Sequence, residues 1–109
     1  MIDGGPVSAP TLLQVGASTN NNTHIDPVFI SDVFCRVGGP NNYKSTPDTC
    51  MTINSNDVVI DDTWLWRADH GSNVGWTVNL GNYGIIVNGN NVKGDTFVLP
   101  TFVARISEA

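Results

Sequence analysis

The stretch VIDDTWLW, residues 59–66, can be set beneath FISDVFCR at 29–36 and above VKGDTFVL at 92–99. An aspartate then stands fourth in each (Asp32, Asp62, Asp95), followed by a β-branched residue, an aromatic (Phe34, Trp64, Phe97) and an apolar residue. The first two segments start 30 residues apart (29 to 59) and the last two 33 (59 to 92). The approach to the second and third also repeats, as NSNDV at 54–58 and NGNNV at 88–92. Self-similarity at this period marks a repeat array. Each unit is strand-like between polar turns, with no helical periodicity. The expected fold is all-β: a parallel β-helix of few coils. A small β-sandwich also uses short, regularly spaced strands, but it does not predict Asp–aromatic pairs at a 30-residue period.

Alternation along the units assigns their faces. Val33, Cys35 and Val37 share one parity with Thr63, Leu65, Thr96 and Val98, and these are expected to point into the coil. Phe34, Trp64 and Phe97 then form an outward aromatic row, beside Arg36, Trp66 and Leu99. TLLQV (11–15), GWTVN (75–79) and YGIIVN (83–88) supply further strands. Open ends of so short a stack expose strand edges, which invite pairing. A second copy joined through exposed coil ends, a homo-oligomer, is therefore one expected partner.

Composition agrees with strands and turns. Asparagine, glycine, threonine and valine are abundant, and Glu108 is the only glutamate. The 109 residues make one domain, 1–109, which is read as a possible piece of a longer secreted protein. A net charge of −5 with few, scattered lysines and arginines argues against nucleic acid. No apolar run approaches the ~18 residues of a membrane span. The opening MIDGGPVSAP lacks the pattern of a signal peptide.

The chemistry-bearing residues concentrate in IDDTWLWRADHG, 60–71. Glycoside hydrolysis usually needs two carboxyl groups, which makes Asp62 and Asp69 the catalytic candidates. Asp62, however, occupies the repeated aspartate position, where a turn or ladder role competes with catalysis. Asp69 and His70 lie outside the repeat at an expected strand end and turn, where unique polar residues are the better functional candidates. Trp64 and Trp66 share one face, and their rings can stack on sugar rings unless the loops 16–27 or 38–48 cover them. Arg67 and His70 complete the candidate sugar-binding set. His24 carries no argument, and no GxSxG elbow supports a Ser-His-Asp triad. Cys35 and Cys50 admit two readings: a disulfide closing the intervening loop, or two free thiols with Cys35 a small apolar strand residue. They make an incomplete metal-ligand set, so no metal and no cofactor are expected.

Four blocks, IDGGPVSAPTLLQVG (2–16), DVFCRVGG (32–39), WLWRADHG (64–71) and VGWTVNLGNYGIIVNGNNV (74–92), stand in the order seen in secreted pectin-lyase-like β-helix proteins. Together they resemble part of glycoside hydrolase family 55, the exo-β-1,3-glucanases. The resemblance implies a right-handed, pectin-lyase-like parallel β-helix, fragment-like in length, and a carbohydrate-associated module whose parent protein is secreted and whose ligand is a polysaccharide or oligosaccharide. It also exposes a departure. After the NGxxV turn the family's strand reads like GLFVEHxxxYQ, with its glutamate the proposed general acid. Here the segment is DTFVLPTFVARISEA, with Leu99 and Pro100 at those places. The expected function is thus a non-catalytic or weakly active module from a glucan-degrading protein. The alternatives are a small glycoside hydrolase acting on β-glucan, and a structural, self-associating fragment.

Overall fold

Runs rich in valine, isoleucine and threonine between asparagine- and glycine-rich turns suit parallel strands buried on at least one face. The computed structural model describes residues 2–6, 8–17, 27–39, 44–71, 81–98 and 104–106. Of these, the side chains of 3, 39, 68–71, 95–98 and 104–106 are outside the description. The chain alternates between two sheets. The first holds β1 (Ile2–Asp3), β3 (Val28–Ser31), β4 (Phe34–Gly39), β6 (Val58–Gly71) and β8 (Val92–Val98). The second holds β2 (Leu13–Val15), β5 (Thr49–Ile53), β7 (Tyr83–Val87) and β9 (Ala104–Ile106), in that order. Each of these pairings is parallel, which excludes the antiparallel sandwich. β3 and β4 lie end to end along one edge of β6, and β8 takes the other.

The core forms between the sheets. Ile30, Val37, Val58, Ile60 and Leu65 from the first meet Met51, Ile53, Ile85 and Val87 from the second. Along β6 the buried residues are Val58 and Ile60, then Thr63 and Leu65, so the inward parity changes at Asp62. Asp62 has φ 50°, and Asp32, at the matching break between β3 and β4, has φ 58°. Left-handed backbone is costly for most L-residues and least so for Asp and Asn. One such residue bends the strand and re-aims everything after it. That bend lets a single run of sequence line two sides of the interior.

The turns before β6 and β8 are held by backbone and amide ladders. Asn54 and Ser55 N–H both donate to Val15 C=O (2.8 and 3.2 Å), and Asn88 and Gly89 N–H repeat this on Ile53 C=O (2.8 and 3.2 Å). Asn88 Nδ2 donates to Asn54 Oδ1 (2.8 Å), and Asn54 Nδ2 donates to Gly16 C=O (3.2 Å). Asn91 Nδ2 reaches Asp57 Oδ1 at 2.8 Å. Asn54, the buried amide of the set, thus has both its oxygen and its nitrogen paired, as buried amides require, and Asn91 with Asp57 repeats the pattern nearer the surface.

These ladders also correct the third repeat. Their partners lie 34 residues apart, and that offset carries into β8, so Asp61 pairs with Asp95, Thr63 with Phe97 and Trp64 with Val98. Asp95 is therefore not the counterpart of Asp62, and Phe97 does not extend the row begun by Phe34 and Trp64. Matching the Asp-Thr-aromatic strings in sequence implied an offset of 33. The asparagine corner imposes one residue more, and in a parallel ladder a one-residue slip changes every cross-strand neighbour.

Cys35 of β4 and Cys50 of β5 are joined by a disulfide across the interior, Cα to Cα 6.2 Å. Closing a loop of this length is worth roughly 3 kcal/mol in the chain-entropy account.

Candidate functional site

The parity set by Asp62 sends Trp64 and Trp66 outward. They are 47% and 44% exposed, while Thr63 and Leu65 between and beside them are fully buried. Residues two apart on a strand stand about 6.6 Å from each other, and neighbouring strands lie about 4.8 Å apart. In register on β4 are Phe34, opposite Trp64, and Arg36, opposite Trp66, both half-buried. The result is a small outward plate of two exposed indoles with a half-buried phenyl ring and, beside Trp66, the half-buried Arg36, whose Nε is buried. Of the two loops considered as covers, residues 18–26 and 40–43 lie outside the described residues.

At one end of the plate stand the carboxyl groups of Asp32 and Asp62. Asp62 is held above the ordinary carboxylate range. The chief cause is a hydrogen bond with the Asp32 side chain, followed by burial and by repulsion from Asp32 and Asp61. Two carboxyl groups in contact cannot both ionise freely, so a proton shared between them is favoured. Such a pair sits closer than the roughly 5–9.5 Å that separates the two carboxyl groups of glycosidases. Asp62 and Asp69 stand seven residues apart on β6, which at about 3.3 Å per residue puts their Cα atoms on the order of 23 Å apart.

At the other end of the plate the ladder is irregular. Val37 pairs with Arg67, and the next pair is Gly39 with Gly71. Gly38 alone (φ 85°) therefore faces Ala68, Asp69 and His70 of β6. Bulges of this kind often occur beside functional sites, where they re-aim side chains. The backbone of Asp69 and His70 lies at the end of β6, the expected strand end; the residues that follow Gly71 and the side chains of Asp69 and His70 are outside the described residues. Leu99, Pro100, His24 and the segment 75–79 are likewise outside them.

Arg67 and Trp66 are adjacent on the strand, so alternation turns Arg67 away from the indole face. Its register partner, Val37, is fully buried. Arg36 is the guanidinium beside Trp66 instead, and Phe34 the ring beside Trp64. The 30-residue offset of the repeat placed both in the outward row beside the indoles, and the β4–β6 register agrees. Among the described residues no group of three or more His, Cys, Asp or Glu side chains could hold a metal ion.

The chain is 46% identical over 93 residues to an exo-β-1,3-glucanase of Streptomyces sp. (strain SirexAA-E / ActE), covering 84% of this chain and 15% of that enzyme. It superimposes on an alanine variant of sacteLam55A from Streptomyces sp. SirexAA-E in complex with glucose, with a TM-score of 0.69 and 43% identity, over 84% of this chain and 16% of the other. This chain thus spans about one sixth of the length of these relatives. The LAM55 pectate lyase-like domain matches residues 1–104, and the chain belongs to that family.

Proposed function

We propose that this chain is a few-coil segment of a right-handed β-helix that binds β-glucan-type sugars along its outer aromatic plate without strong catalysis. The observation that carries this reading is the exposed pair Trp64 and Trp66, flanked in register by Phe34 and Arg36. Flat aromatic faces suit the apolar faces of pyranose rings, and a guanidinium suits their hydroxyl groups. The relatives support the ligand class: one is an exo-β-1,3-glucanase and the other was solved with glucose. Three features support weak catalysis at most. Asp32 and Asp62 are too close for a glycosidase pair, Asp62 and Asp69 are too far apart, and Leu99 stands where the family resemblance implies a glutamate. The test is calorimetric titration with a soluble β-1,3-glucan, comparing the parent with a Trp64→Ala/Trp66→Ala variant. Binding that is lost in the variant supports the reading. Equal binding by both removes the plate from the site.

A second reading, weak hydrolysis, draws on the raised Asp62 carboxyl, which keeps a proton where an isolated aspartate has lost it. Reducing-sugar release from the same glucan over a long incubation tests it. Release abolished by Asp62→Asn or Asp69→Asn, with the fold intact, would make this chain an enzyme. No release leaves binding as the role.

A further inference from the structure

Cys35 lies on β4 directly beneath the aromatic plate. Its chain neighbours Phe34 and Arg36 are the register partners of Trp64 and Trp66, and its own partner, Leu65, is the residue between the two indoles. Cys35 is 3% exposed and Cys50 fully buried, so the bond runs through the interior rather than over the surface. β4 is held on one edge by β6, through a ladder that slips just past Val37, and on the other by Ile2 and Asp3 of β1 and by the Gly4 N–H, which donates to Arg36 C=O (2.8 Å). Val37 and Cys35 face the interior, and through Cys35 the strand is covalently tied to β5 of the second sheet. A ladder that slips at one end gives the strand room to shift its height there, and a covalent link from below removes that freedom. On a strand, fixing one inward side chain fixes the height of the outward residues on either side.

We infer that the Cys35–Cys50 bond is a positioning element for the Trp64–Trp66 face, so that the face is fully formed only when these two thiols are oxidised. Reduction by a dithiol transfers two electrons and two protons to the bond. It yields two cysteine thiols and leaves the reductant as its cyclic disulfide. The tether on β4 is then gone, and Phe34 and Arg36 lose their fixed height beside the indoles. The consequence for sugar affinity rests on the binding role proposed above, whereas the consequence for the indoles does not.

The experiment compares the oxidised protein with a Cys35→Ala/Cys50→Ala variant, both carrying Trp76→Phe so that fluorescence reports Trp64 and Trp66 alone. Both are measured well below their unfolding midpoints, with far-UV circular dichroism confirming the strands. The expected result is a shift in emission and in acrylamide quenching of the two indoles, with affinity for a soluble β-1,3-glucan about tenfold weaker. A variant that unfolds at lower temperature but keeps parental quenching and affinity would reduce the bond to a staple and overturn the inference. If the variant does not fold, the parent is treated with dithiothreitol while thiol release and quenching are followed together. Quenching that changes with thiol release before the strands are lost supports the inference, and thiol release only on global unfolding overturns it. If the oxidised protein binds no glucan, the binding role falls and the fluorescence comparison decides alone.

Discussion

At the corners leading into β6 and β8, Asp57 and Asn91 take left-handed backbone (φ 57° and 54°), and Asn91 donates its amide to the Asp57 carboxylate at 2.8 Å. At the bend inside the first sheet, Asp32 and Asp62 take the same backbone (φ 58° and 50°), but both contribute carboxyl groups. The steric problem is identical and Asp or Asn solves it in both places, since a short polar side chain lowers the cost of this conformation. The chemistry differs. An amide facing a carboxylate has its own donor, whereas two carboxyl groups have one only when a proton is present. The first corner is therefore a structural joint at any ordinary pH. The second is a joint whose strength depends on pH, placed two residues before Phe34 and Trp64.

The largest expected effect comes from breaking the first corner at its tightest point. A Cβ on Gly89 would lie 1.8 Å from the Ser55 carbonyl oxygen and 2.6 Å from its carbon. Backbone cannot step aside as a flexible side chain can, and the same glycine donates its N–H to Ile53 C=O. Gly89→Ala should cost about 3 kcal/mol or more, read as the shift in a urea unfolding curve. Asn54→Ala comes next. It removes the amide that donates to Gly16 C=O and the oxygen that accepts from Asn88, at a site only 6% exposed. Leaving those partners unpaired should cost about 2 kcal/mol by the same measurement. If both substitutions prove mild, the ladder does not set the 34-residue offset.

Both offsets were present in the sequence, and they conflict. NSNDV and NGNNV lie 34 apart, while DDTWLW and GDTFVL align at 33. The second match rests on side-chain types that recur easily in strands. The first rests on asparagines whose amides must find partners, and it prevails. The parallel winding and the inward parity of Cys35, Val37, Thr63 and Leu65 were legible because burial imposes alternation directly. The bend at Asp62 was not, because nothing in a residue's type alone distinguishes a catalytic aspartate from a left-handed one. Phe34 and Arg36 were legible as neighbours of the indoles, because the 30-residue offset that aligns FISDVFCR with VIDDTWLW is the β4–β6 register.

The comparison can also be reversed by exchanging the corner chemistries. Asn91→Asp gives the first corner two facing carboxyl groups. At neutral pH it should lose about 0.5–1 kcal/mol, a small figure because the site is exposed. The loss should shrink on acidification, as one carboxyl regains the proton that supplies a donor. A loss independent of pH would mean that the amide acts through shape alone.

The smallest effect, with the opposite sign, is expected from Asp62→Asn. The Asp62 carboxyl is raised in the folded protein, chiefly by the hydrogen bond with Asp32, so the native state holds this proton more tightly than the unfolded chain does. Stability from that proton is fully present below the unfolded aspartate range, near 3.9, and is lost as pH rises through the higher folded value. Asparagine keeps a donor toward Asp32, tolerates the left-handed backbone, and carries no charge to repel Asp32 or Asp61. The variant should therefore match the parent in acid and exceed it increasingly as pH rises from the unfolded aspartate range through the higher folded value, levelling off above it. Chemical unfolding at a series of pH values measures that difference. A constant offset between parent and variant would show that no proton is shared at this bend and that Asp62 shapes the strand only through its backbone.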